Sequence, residues 1–389
     1  MDGNSRTARK RSSLQPYLDA GLGIKNHWYP ALLSSELAEG EAKGVTICST
    51  PVVLRRARGE VYALRNECRH RGVRLTERPT CLTDETITCW YHGFTYDLES
   101  GRLVSIVSSP KDNVIGKISL RTYPVREINN LIFVFMGDAD REPHDLDLDL
   151  PNSESTYPEY PVAHPTHDHV VNLGIHRECR GDWRLAAESG ADPGHLILHR
   201  DAALVLVKDY AFTLGETASM EAAIKVFDQP DQPKGIGKYY DKLDVVLENE
   251  LTGLKARGSK IPEGLAVEIF MPGVLKVENW PEVGLVQYEW YVPTRPGYHE
   301  YWQILSKTCE TEEERAYFEA KYTHMWEDLA LRGFNDDDIL GREAMEDFYE
   351  DGRGWQEEQL FESDHFIVEW RKLCARHNNG IIESKYGLK

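Results

Sequence analysis

Short apolar runs separated by turn residues make up the first third of the chain. They are rich in β-branched and aromatic residues, and they lie at residues 45–48, 52–56, 61–65, 86–90, 94–96 and 131–135. Glycines at positions 59, 72, 93 and 101 fall between them. Runs of this length bounded by glycine turns are typical of strands. The pattern predicts a small, antiparallel, all-β N-terminal domain.

A different composition begins at residues 138–165, where Asp, Pro, His and Ser predominate. A polar, proline-containing stretch of this kind is typical of a linker and predicts a domain boundary. We therefore expect three parts: an N-terminal tail or short helix at 1–24, the β domain at 25–150 and a second domain at 151–389.

The second domain combines helical and strand-like patterns. Residues 183–199 form a helical patch. The strand-like segments are 203–208, 265–271, 275–278 and 285–292. Strands followed by a helical C-terminal quarter predict an α+β fold class.

A long helix is expected in the C-terminal quarter. Thr311 and Glu314 have the spacing of a capping box, which marks a helix start. The apolar positions at i, i+4, i+7 and i+11 that follow are Phe318, Tyr322, Met325 and Leu329. This spacing places them on one face, and we expect that face to pack into the core.

The charge of the chain limits its partners. It has 45 Lys and Arg against 64 Asp and Glu, and hence a formal net charge of −19. Because binding to nucleic acid or anionic lipid requires a basic surface, neither is expected as a partner. The sequence also lacks an apolar run of about 18 residues, the length that a membrane-spanning helix needs. The polar, basic first 13 residues lack the apolar region of a signal peptide, so we expect a cytoplasmic protein.

The cysteines point to metal binding rather than to disulfides. There are seven, an odd number spread thinly, whereas a disulfide framework is denser and usually even. Three of them, Cys68, Cys81 and Cys89, are clustered, and the other four are expected to be buried, reduced thiols.

A first metal-binding pattern combines Cys68-x-His70 with Cys89-x-x-His92. A structural zinc ion also accepts two Cys and two His, but zinc fingers usually pair like ligands. Here each half supplies one Cys and one His, which suits a [2Fe–2S] cluster of the Rieske type, with two thiolates on one iron and two imidazoles on the other. Cys81, in the intervening loop, is expected to be a spare thiol.

The same segment is locally basic. Residues 55–78 contain eight Arg and three Glu, on a chain that is acidic as a whole. This segment is either an ordinary solvated face or a docking surface for an acidic electron carrier, because complementary charge accelerates encounter.

A second metal-binding pattern lies in the helical patch. Glu188, Asp192, His195 and His199 recur at helical spacing, and the two histidines lie one turn apart. Two imidazoles and one carboxylate form the facial triad of non-haem Fe(II) oxygenases. The third ligand is expected from Asp336, Asp337 or Asp338, among which spacing alone does not choose.

Asp192 has an alternative, purely local interpretation. It precedes Pro193, and Asp–Pro is favoured at the start of a helix. A break near Gly190, with a new helix beginning at Pro193 and Asp192 as its cap, is therefore also expected.

Together these motifs resemble the terminal oxygenase components of Rieske non-haem iron ring-hydroxylating oxygenases. The resemblance covers about residues 16–380 and is strongest to the carbazole 1,9a-dioxygenases, in segments such as CRHRGVRL, DWRLAAESGADPGHLILHRD and GFNDDDI. It implies a helix-grip catalytic domain, an antiparallel sheet around a long helix, behind the Rieske domain. It also implies a homotrimer.

The resemblance assigns roles to individual residues. The cluster ligands would be Cys68, His70, Cys89 and His92, and the Fe(II) ligands His195, His199 and Asp338. Asp192 would link the two centres between neighbouring subunits. The substrate pocket would include Gly190, Val267, Trp280, Gln287 and Phe334, with the Gly190 carbonyl accepting a hydrogen bond from a ring N–H.

The resemblance also implies a reaction. With O₂ and electrons from a ferredoxin, the enzyme would carry out angular dioxygenation of carbazole-like tricyclic arenes, giving 2'-aminobiphenyl-2,3-diol from carbazole. The chain has no G-x-G-x-x-G motif, so NADH is expected to act only indirectly, through an upstream reductase. The alternatives are a Rieske monooxygenase or demethylase acting on another heteroarene, and a protein that only transfers electrons or binds metal for structure.

Overall fold

The computed structural model describes residues 13–154, 161–192, 194–216, 223–240, 245–260, 262–378 and 380–381. The first half of the predicted N-terminal tail, residues 1–12, lies outside these residues. A short helix, α1 (Gln15–Leu18), precedes the first strand. None of the helices in the described ranges combines the length and the apolar character needed to span a bilayer.

The N-terminal part is all β, as predicted, and consists of three small antiparallel sheets. One has the order β1 (Trp28–Leu33), β10 (Leu131–Phe135), β9 (Val125–Ile128). The second is β2 (Ala42–Ile47), β3 (Thr50–Ala57), β4 (Glu60–Arg65), β8 (Thr122–Tyr123). The third is β5 (Thr86–Thr88), β6 (Phe94–Asp97), β7 (Leu103–Ile106).

The second part contains a seven-stranded antiparallel sheet. Its order is β11 (Val170–Arg180), β19 (Tyr298–Thr308), β18 (Val286–Arg295), β17 (Val274–Glu278), β16 (Ala266–Phe270), β13 (Gly235–Tyr239), β12 (Ile224–Phe227). A small hairpin, β14 (Glu248–Asn249) and β15 (Leu254–Lys255), lies outside it.

Among the described residues of the second part, two helices lie between β11 and β12 in sequence and four follow β19. They are α2 (Trp183–Ala191), α3 (Ala203–Lys208), α4 (Glu312–Lys321), α5 (Asn335–Tyr349), α6 (Gly354–Glu357) and α7 (His365–His377). The predicted α+β class, a β domain followed by an antiparallel sheet with helices, is confirmed.

One predicted strand, at residues 203–208, is wrong: this segment forms the helix α3. Its run of Leu and Val has strand composition, but Leu204 and Val205 are buried while Leu206 and Val207 are exposed. Two adjacent buried residues followed by two exposed ones do not fit the alternation of a strand. Tertiary packing of one side of the turn therefore decides the structure.

The long C-terminal helix begins as predicted and then changes its pitch. Thr311 and Glu314 form the expected capping box. Residues Tyr322–Phe334 are π-helical, and the helix continues directly into α5. Phe318 and Tyr322 are buried and Met325 and Leu329 pack against the same core, as predicted, but the wider turns bring Trp326 and Ala330 to the centre of the buried face.

The two parts of the chain share a hydrophobic core. The core cluster that contains β1 and β10 extends to the aromatic side chains of β18 and β19. In particular, the ring centroids of Phe133 and Trp290 are 6.1 Å apart. The β domain is thus packed directly against one end of the seven-stranded sheet.

Candidate active site

The predicted helical patch is broken at Asp192. Helix α2 ends at Ala191, and a tight, 3₁₀-like segment, Gly194–Asp201, carries both His195 and His199. The Asp192 carboxylate accepts a hydrogen bond from the Gly194 N–H at 2.6 Å. The predicted break is therefore present, and Asp192 caps the turn that presents the histidines.

Glu188 is separated from the two histidines by this break. Its carboxylate accepts hydrogen bonds from the Arg371 guanidinium at 2.6 and 2.8 Å and from the Tyr17 hydroxyl at 2.5 Å. The expectation that Glu188 shares one helical face with His195 and His199 is wrong, because the turn at Asp192 rotates the following residues away. Glu188 instead anchors α7 and α1 to α2.

The two histidines meet Asp338, which lies in the first turn of α5. The Asp338 Oδ1 atom is 3.4 Å from His195 Nε2 and 3.3 Å from His199 Nε2. Ligands bound at about 2.1 Å from one ion have donor atoms roughly 3–3.5 Å apart, so the spacing fits a common metal ion. In the described part of the chain, three buried atoms of this group lack a hydrogen-bond partner: His199 Nδ1, His199 Nε2 and Asp338 Oδ1.

The other two aspartates differ from Asp338 in burial and partners. Asp336 is half exposed and pairs with Arg177. Asp337 is one-third exposed and lies 3.4 Å from His199 Nδ1, on the far side of the ring. Only Asp338, buried and facing both Nε2 atoms, lies where the triad needs its carboxylate, so the geometry favours it. All three lie in the first turn of α5, which continues the long helix.

Hydrogen bonding selects the ring atoms that face the candidate iron site. His195 Nδ1 contacts the backbone carbonyl of Asp192, so this nitrogen carries the proton and donates it. His195 Nε2 is then left free to bind a metal ion, as is usual for metal-binding histidines. His199 is held by stacking on Phe334, with ring centroids 3.8 Å apart.

Arg342, which sequence reasoning missed, supports Asp338 from the next helical turn. It is fully buried, and its guanidinium lies 3.9 Å from Asp338 Oδ2 and 4.0 Å from Glu289 Oε2. Burial alone would raise the pKa of Asp338, but His199 and Arg342 beside it lower that pKa well below its ordinary value. The carboxylate is therefore ionised and its Oδ1 atom is available to a cation.

The first metal-binding pattern forms two matching loops at one tip of the β domain. Cys68 and Cys89 are buried, whereas His70 is exposed and His92 is half-buried, with the Nδ1 atoms of the two histidines 3.1 Å apart. The arrangement places two sulfurs inside and two imidazoles outside, which fits a cluster whose histidine-bound iron faces the surface.

Backbone geometry makes the two loops alike. The Gly72 N–H donates to the Cys68 carbonyl at 2.8 Å, and the Gly93 N–H donates to the Cys89 carbonyl at 2.9 Å. Both glycines have φ near +70°, at 72° and 73°, which other residues rarely adopt. Each loop therefore turns back sharply just after presenting its ligands.

The pKa values of the Cys68 and Cys89 thiols are shifted in opposite directions. The hydrogen bond from Cys89, together with that from the Tyr96 hydroxyl at 3.3 Å, lowers the pKa of Cys68 to about 6. The same sulfur contact raises the pKa of Cys89. The contact between the two sulfurs therefore favours a negative charge on one of them over a charge on both. Cys81 is half-buried in the intervening loop and is a free thiol.

Many arginines of the basic segment form contacts within the β domain and are not available to a partner at the surface. Arg55 is buried and donates to two backbone carbonyls, and Arg56 pairs with Glu127. The exposed arginines beside the candidate cluster are Arg69, Arg71 and Arg78. We call these three residues the basic rim. The predicted docking surface is thus smaller than the charge count suggests.

A cavity opens beside the second histidine group. His195, Asp192 and Asp338 lie on its wall. All five residues predicted for the substrate pocket also line it: Gly190, Val267, Trp280, Gln287 and Phe334. The walls are mainly apolar, as in most sites for small organic molecules, with a few polar groups.

The sheet supplies one wall as a row across four strands. Lys238 on β13 is opposite Val267 on β16, which is opposite Val277 on β17, which is opposite Gln287 on β18. The Gln287 amide donates to Glu289 at 2.5 Å. Lys238, Val277 and Glu289 were not predicted from the sequence, because pairing between distant strands brings them to the cavity.

A second His/Asp group, also missed, contains His27, His144 and Asp149. The imidazoles contact the Asp149 oxygens at 2.6 and 2.7 Å, and the Trp28 N–H donates to the same carboxylate at 2.7 Å. These are direct hydrogen bonds, too short to hold an ion between the donor atoms. The group ties the start of β1 to the segment before the second domain.

Two family models match the chain in succession. The Rieske [2Fe–2S] domain model matches residues 27–124, and the model described as homotrimeric ring hydroxylase matches residues 135–382.

Individual relatives are similar over nearly their whole length. The terminal oxygenase component of carbazole 1,9a-dioxygenase from a Sphingomonas species is 41% identical, covering 97% of this chain and 98% of the relative. The solved terminal oxygenase of carbazole 1,9a-dioxygenase from Novosphingobium sp. KA1 is 40% identical with a TM-score of 0.87, covering 96% of this chain and 98% of that one. The solved 2-oxoquinoline 8-monooxygenase component is 45% identical with a TM-score of 0.91, covering 100% and 93%.

Proposed function

We propose a function from one premise: the chain belongs to the homotrimeric ring hydroxylases that carry a Rieske [2Fe–2S] domain. The family predicted from the sequence is thereby confirmed, and its cofactors are the [2Fe–2S] cluster and a mononuclear non-haem iron. The chain is then the terminal oxygenase of a multicomponent system that carries out angular dioxygenation of carbazole-like tricyclic (hetero)arenes. The observation that carries the proposal is the group His195, His199 and Asp338, of which His195 and Asp338 line an apolar cavity.

The residues around the cavity would have distinct tasks. His195, His199 and Asp338 would hold the iron, which supplies the reduction of O₂ when electrons are delivered. Val267, Trp280 and Phe334 would pack on the flat arene and keep water out. The Gly190 carbonyl would accept a hydrogen bond from a ring N–H, and Gln287 lies at the same cavity.

Electrons would enter through the exposed edge of the β domain. Cys68, His70, Cys89 and His92 would hold the cluster, with the basic rim beside it to attract an acidic ferredoxin. NADH would reduce the ferredoxin through a separate reductase, and the protein would be cytoplasmic. In the homotrimer, Asp192 would link the cluster of one subunit to the iron of the next.

The reaction can be tested by product analysis. The reconstituted protein, supplied with a ferredoxin, its reductase and NADH, should convert carbazole into 2'-aminobiphenyl-2,3-diol. Under ¹⁸O₂ both oxygens of the product should be labelled. Absence of oxygenated product from carbazole would contradict this substrate class.

A second candidate function is monooxygenation of another heteroarene. The observation that favours it is the likeness to the 2-oxoquinoline 8-monooxygenase component, which is 45% identical with a TM-score of 0.91. The same labelling experiment on 2-oxoquinoline separates the two candidates, since incorporation of one atom of ¹⁸O would identify a monooxygenase.

A further inference from the structure

One charged side chain stands out in the apolar wall of the cavity. Lys238 is 1% exposed, yet it lines the same cavity as His195 and Asp338. A buried ammonium is costly unless it is paired and hydrogen-bonded, and another buried lysine of the same sheet shows what full pairing looks like.

Lys276 is such a lysine, and its charge is fully compensated. Its Nζ atom is 2.7 Å from Glu268 and 2.7 Å from Glu278, at 0% exposure. It also donates to the Ser153 hydroxyl at 2.5 Å. Three acceptors thus match the three N–H donors of the ammonium.

Lys238 is compensated much less well in the described part of the chain. Its Nζ atom is 3.4 Å from Glu216 Oε1, beyond the usual range of an N–H···O bond. Its other neighbours are aromatic faces, Tyr240 at 5.1 Å and Phe366 at 5.7 Å, which attract the charge but provide no lone pair. The ammonium therefore has donor capacity left for a ligand in the cavity.

The opposite end of the same row offers an acceptor. Gln287 is 1% exposed, and its Oε1 atom has no hydrogen-bond partner among the described residues. Three strand spacings separate Lys238 from Gln287, about 14 Å between their Cα atoms. The cavity thus presents a donor at one end of its sheet wall and an acceptor at the other.

We propose that Lys238 forms a subsite for an exocyclic oxygen of the substrate, a ring carbonyl or a phenolate. This rests on the proposed function and narrows its substrates: among fused heteroarenes, those that carry such an oxygen bind more tightly than carbazole, which has none. The ring N–H would then be met by an acceptor, Gln287 or the Gly190 carbonyl, and the oxygen by the ammonium. A lactam-type heteroarene has both groups.

A matched pair of ligands tests the subsite. 3,4-Dihydro-2-quinolinone and 1,2,3,4-tetrahydroquinoline share a skeleton and an N–H and differ in the carbonyl. We expect the iron-loaded trimer, kept anaerobic, to bind 3,4-dihydro-2-quinolinone at least about tenfold more tightly than tetrahydroquinoline, because only its carbonyl can accept a charge-assisted hydrogen bond from Lys238. In the double variant Lys238→Met, Glu216→Gln this ratio should fall to about one, while the affinity for tetrahydroquinoline changes little. The second substitution removes the charge that would otherwise be left buried.

The controls separate the subsite from the fold and from catalysis. Lys225→Met, on the exposed neighbouring strand β12, should keep the wild-type ratio. Metal content and thermal melting of each variant confirm an intact protein. Equal affinities of the wild type for the two ligands, no binding of either, or a ratio that survives in the double variant would overturn the proposal. Failure of the proposed function would appear separately, as absence of hydroxylated product from any arene.

Discussion

The carboxylate that completes the candidate iron site can be identified by substitution. Asp338 is buried and faces the Nε2 atoms of both histidines, so Asp338→Ala should remove the third ligand of the proposed iron site. We expect loss of about one iron per chain, an intact Rieske EPR signal and at least about a 100-fold fall in turnover.

Asp337→Ala is the matched control because Asp337 is adjacent in sequence but partly exposed. It should retain its iron and most of its turnover. If instead Asp338→Ala keeps iron and activity while Asp337→Ala loses both, the third ligand is Asp337.

Arg342 is expected to position Asp338 rather than to take part in the reaction. Replacing this buried guanidinium by methionine leaves Asp338 and Glu289 without their shared cation. The pKa of Asp338 should therefore rise, and iron binding should weaken by about 10–100-fold. Excess Fe(II) should restore much of the turnover, and iron loss on acidification should begin at a higher pH than in the wild type. Unchanged iron affinity and pH profile would contradict this role.

At the same scale, sequence patterns reveal ligands better than they reveal the residues that support them. Cys68, His70, Cys89 and His92 are visible because metal chemistry restricts both residue type and local spacing. Arg342 lies at i+4 from Asp338 on a helix, a spacing that does not by itself predict that it supports a ligand. Lys238 carries no local signal, since its place at the cavity depends on pairing between β13 and β16.

At the scale of elements, the prediction failed where packing overrides local periodicity. Residues 203–208 have strand composition but form a helix, because only Leu204 and Val205 face the core. The long helix was predicted with a regular pitch, whereas its π-helical stretch, Tyr322–Phe334, shifts the buried face. That stretch ends at the residue that stacks on His199, so the change of pitch sets where the third ligand enters the site.

One link between elements should make stability depend on pH. His176 on β11 hydrogen-bonds Glu300 on β19 at 2.7 Å and Glu36, just after β1, at 2.9 Å. Burial opposes protonation of the ring, but the two carboxylates outweigh it and raise the pKa of His176 to about 9. Because the pKa of His176 is higher in the folded chain than its ordinary value near 6.5, the protonated ring stabilises the fold. This stabilisation is complete at pH values below about 6.5 and is lost as the pH rises through about 9.

Thermal melting across this window tests the link. Between pH 6 and pH 10 the wild type should lose roughly 2 kcal/mol more stability than His176→Gln, which cannot gain the charge. The variant should be the less stable protein at pH 6, and the two should converge at pH 10. Parallel curves would show that His176 is not charged in the folded protein.

At the scale of the whole molecule, the two-part organisation was foreseen, but the close packing of the parts was not. Composition marks a linker, yet it cannot report that Phe133 and Trp290 lie in one core. The net charge of the whole chain also does not reveal the basic rim. The local count of arginines overstates it, because many of the neighbouring arginines form contacts inside the β domain. Both features arise from contacts between residues that are far apart in sequence.

The basic rim predicts that electron delivery depends on salt. Arg69, Arg71 and Arg78 are exposed beside the candidate cluster on a chain of net charge −19. Raising the ionic strength from about 0.05 to 0.5 M should slow reduction by an acidic ferredoxin several-fold, because screening shortens the reach of the field. Arg71→Gln should be slower at low salt and less sensitive to salt. Salt-independent reduction would remove the rim from the docking surface.

The proposed coupling between the cluster and the iron depends on assembly of the trimer more than any other property of the protein does. If Asp192 connects the cluster of one subunit to the iron of the next, Asp192→Asn should keep both metals and the trimer. Its cluster should be reduced at the wild-type rate, while turnover falls by about 100-fold or more because the connecting carboxylate is gone. The local role of Asp192 predicts otherwise: asparagine can still accept the Gly194 N–H, so the turn and the turnover should survive. Single-turnover measurements on the pre-reduced trimer therefore decide between a residue that only caps a turn and one that couples two subunits.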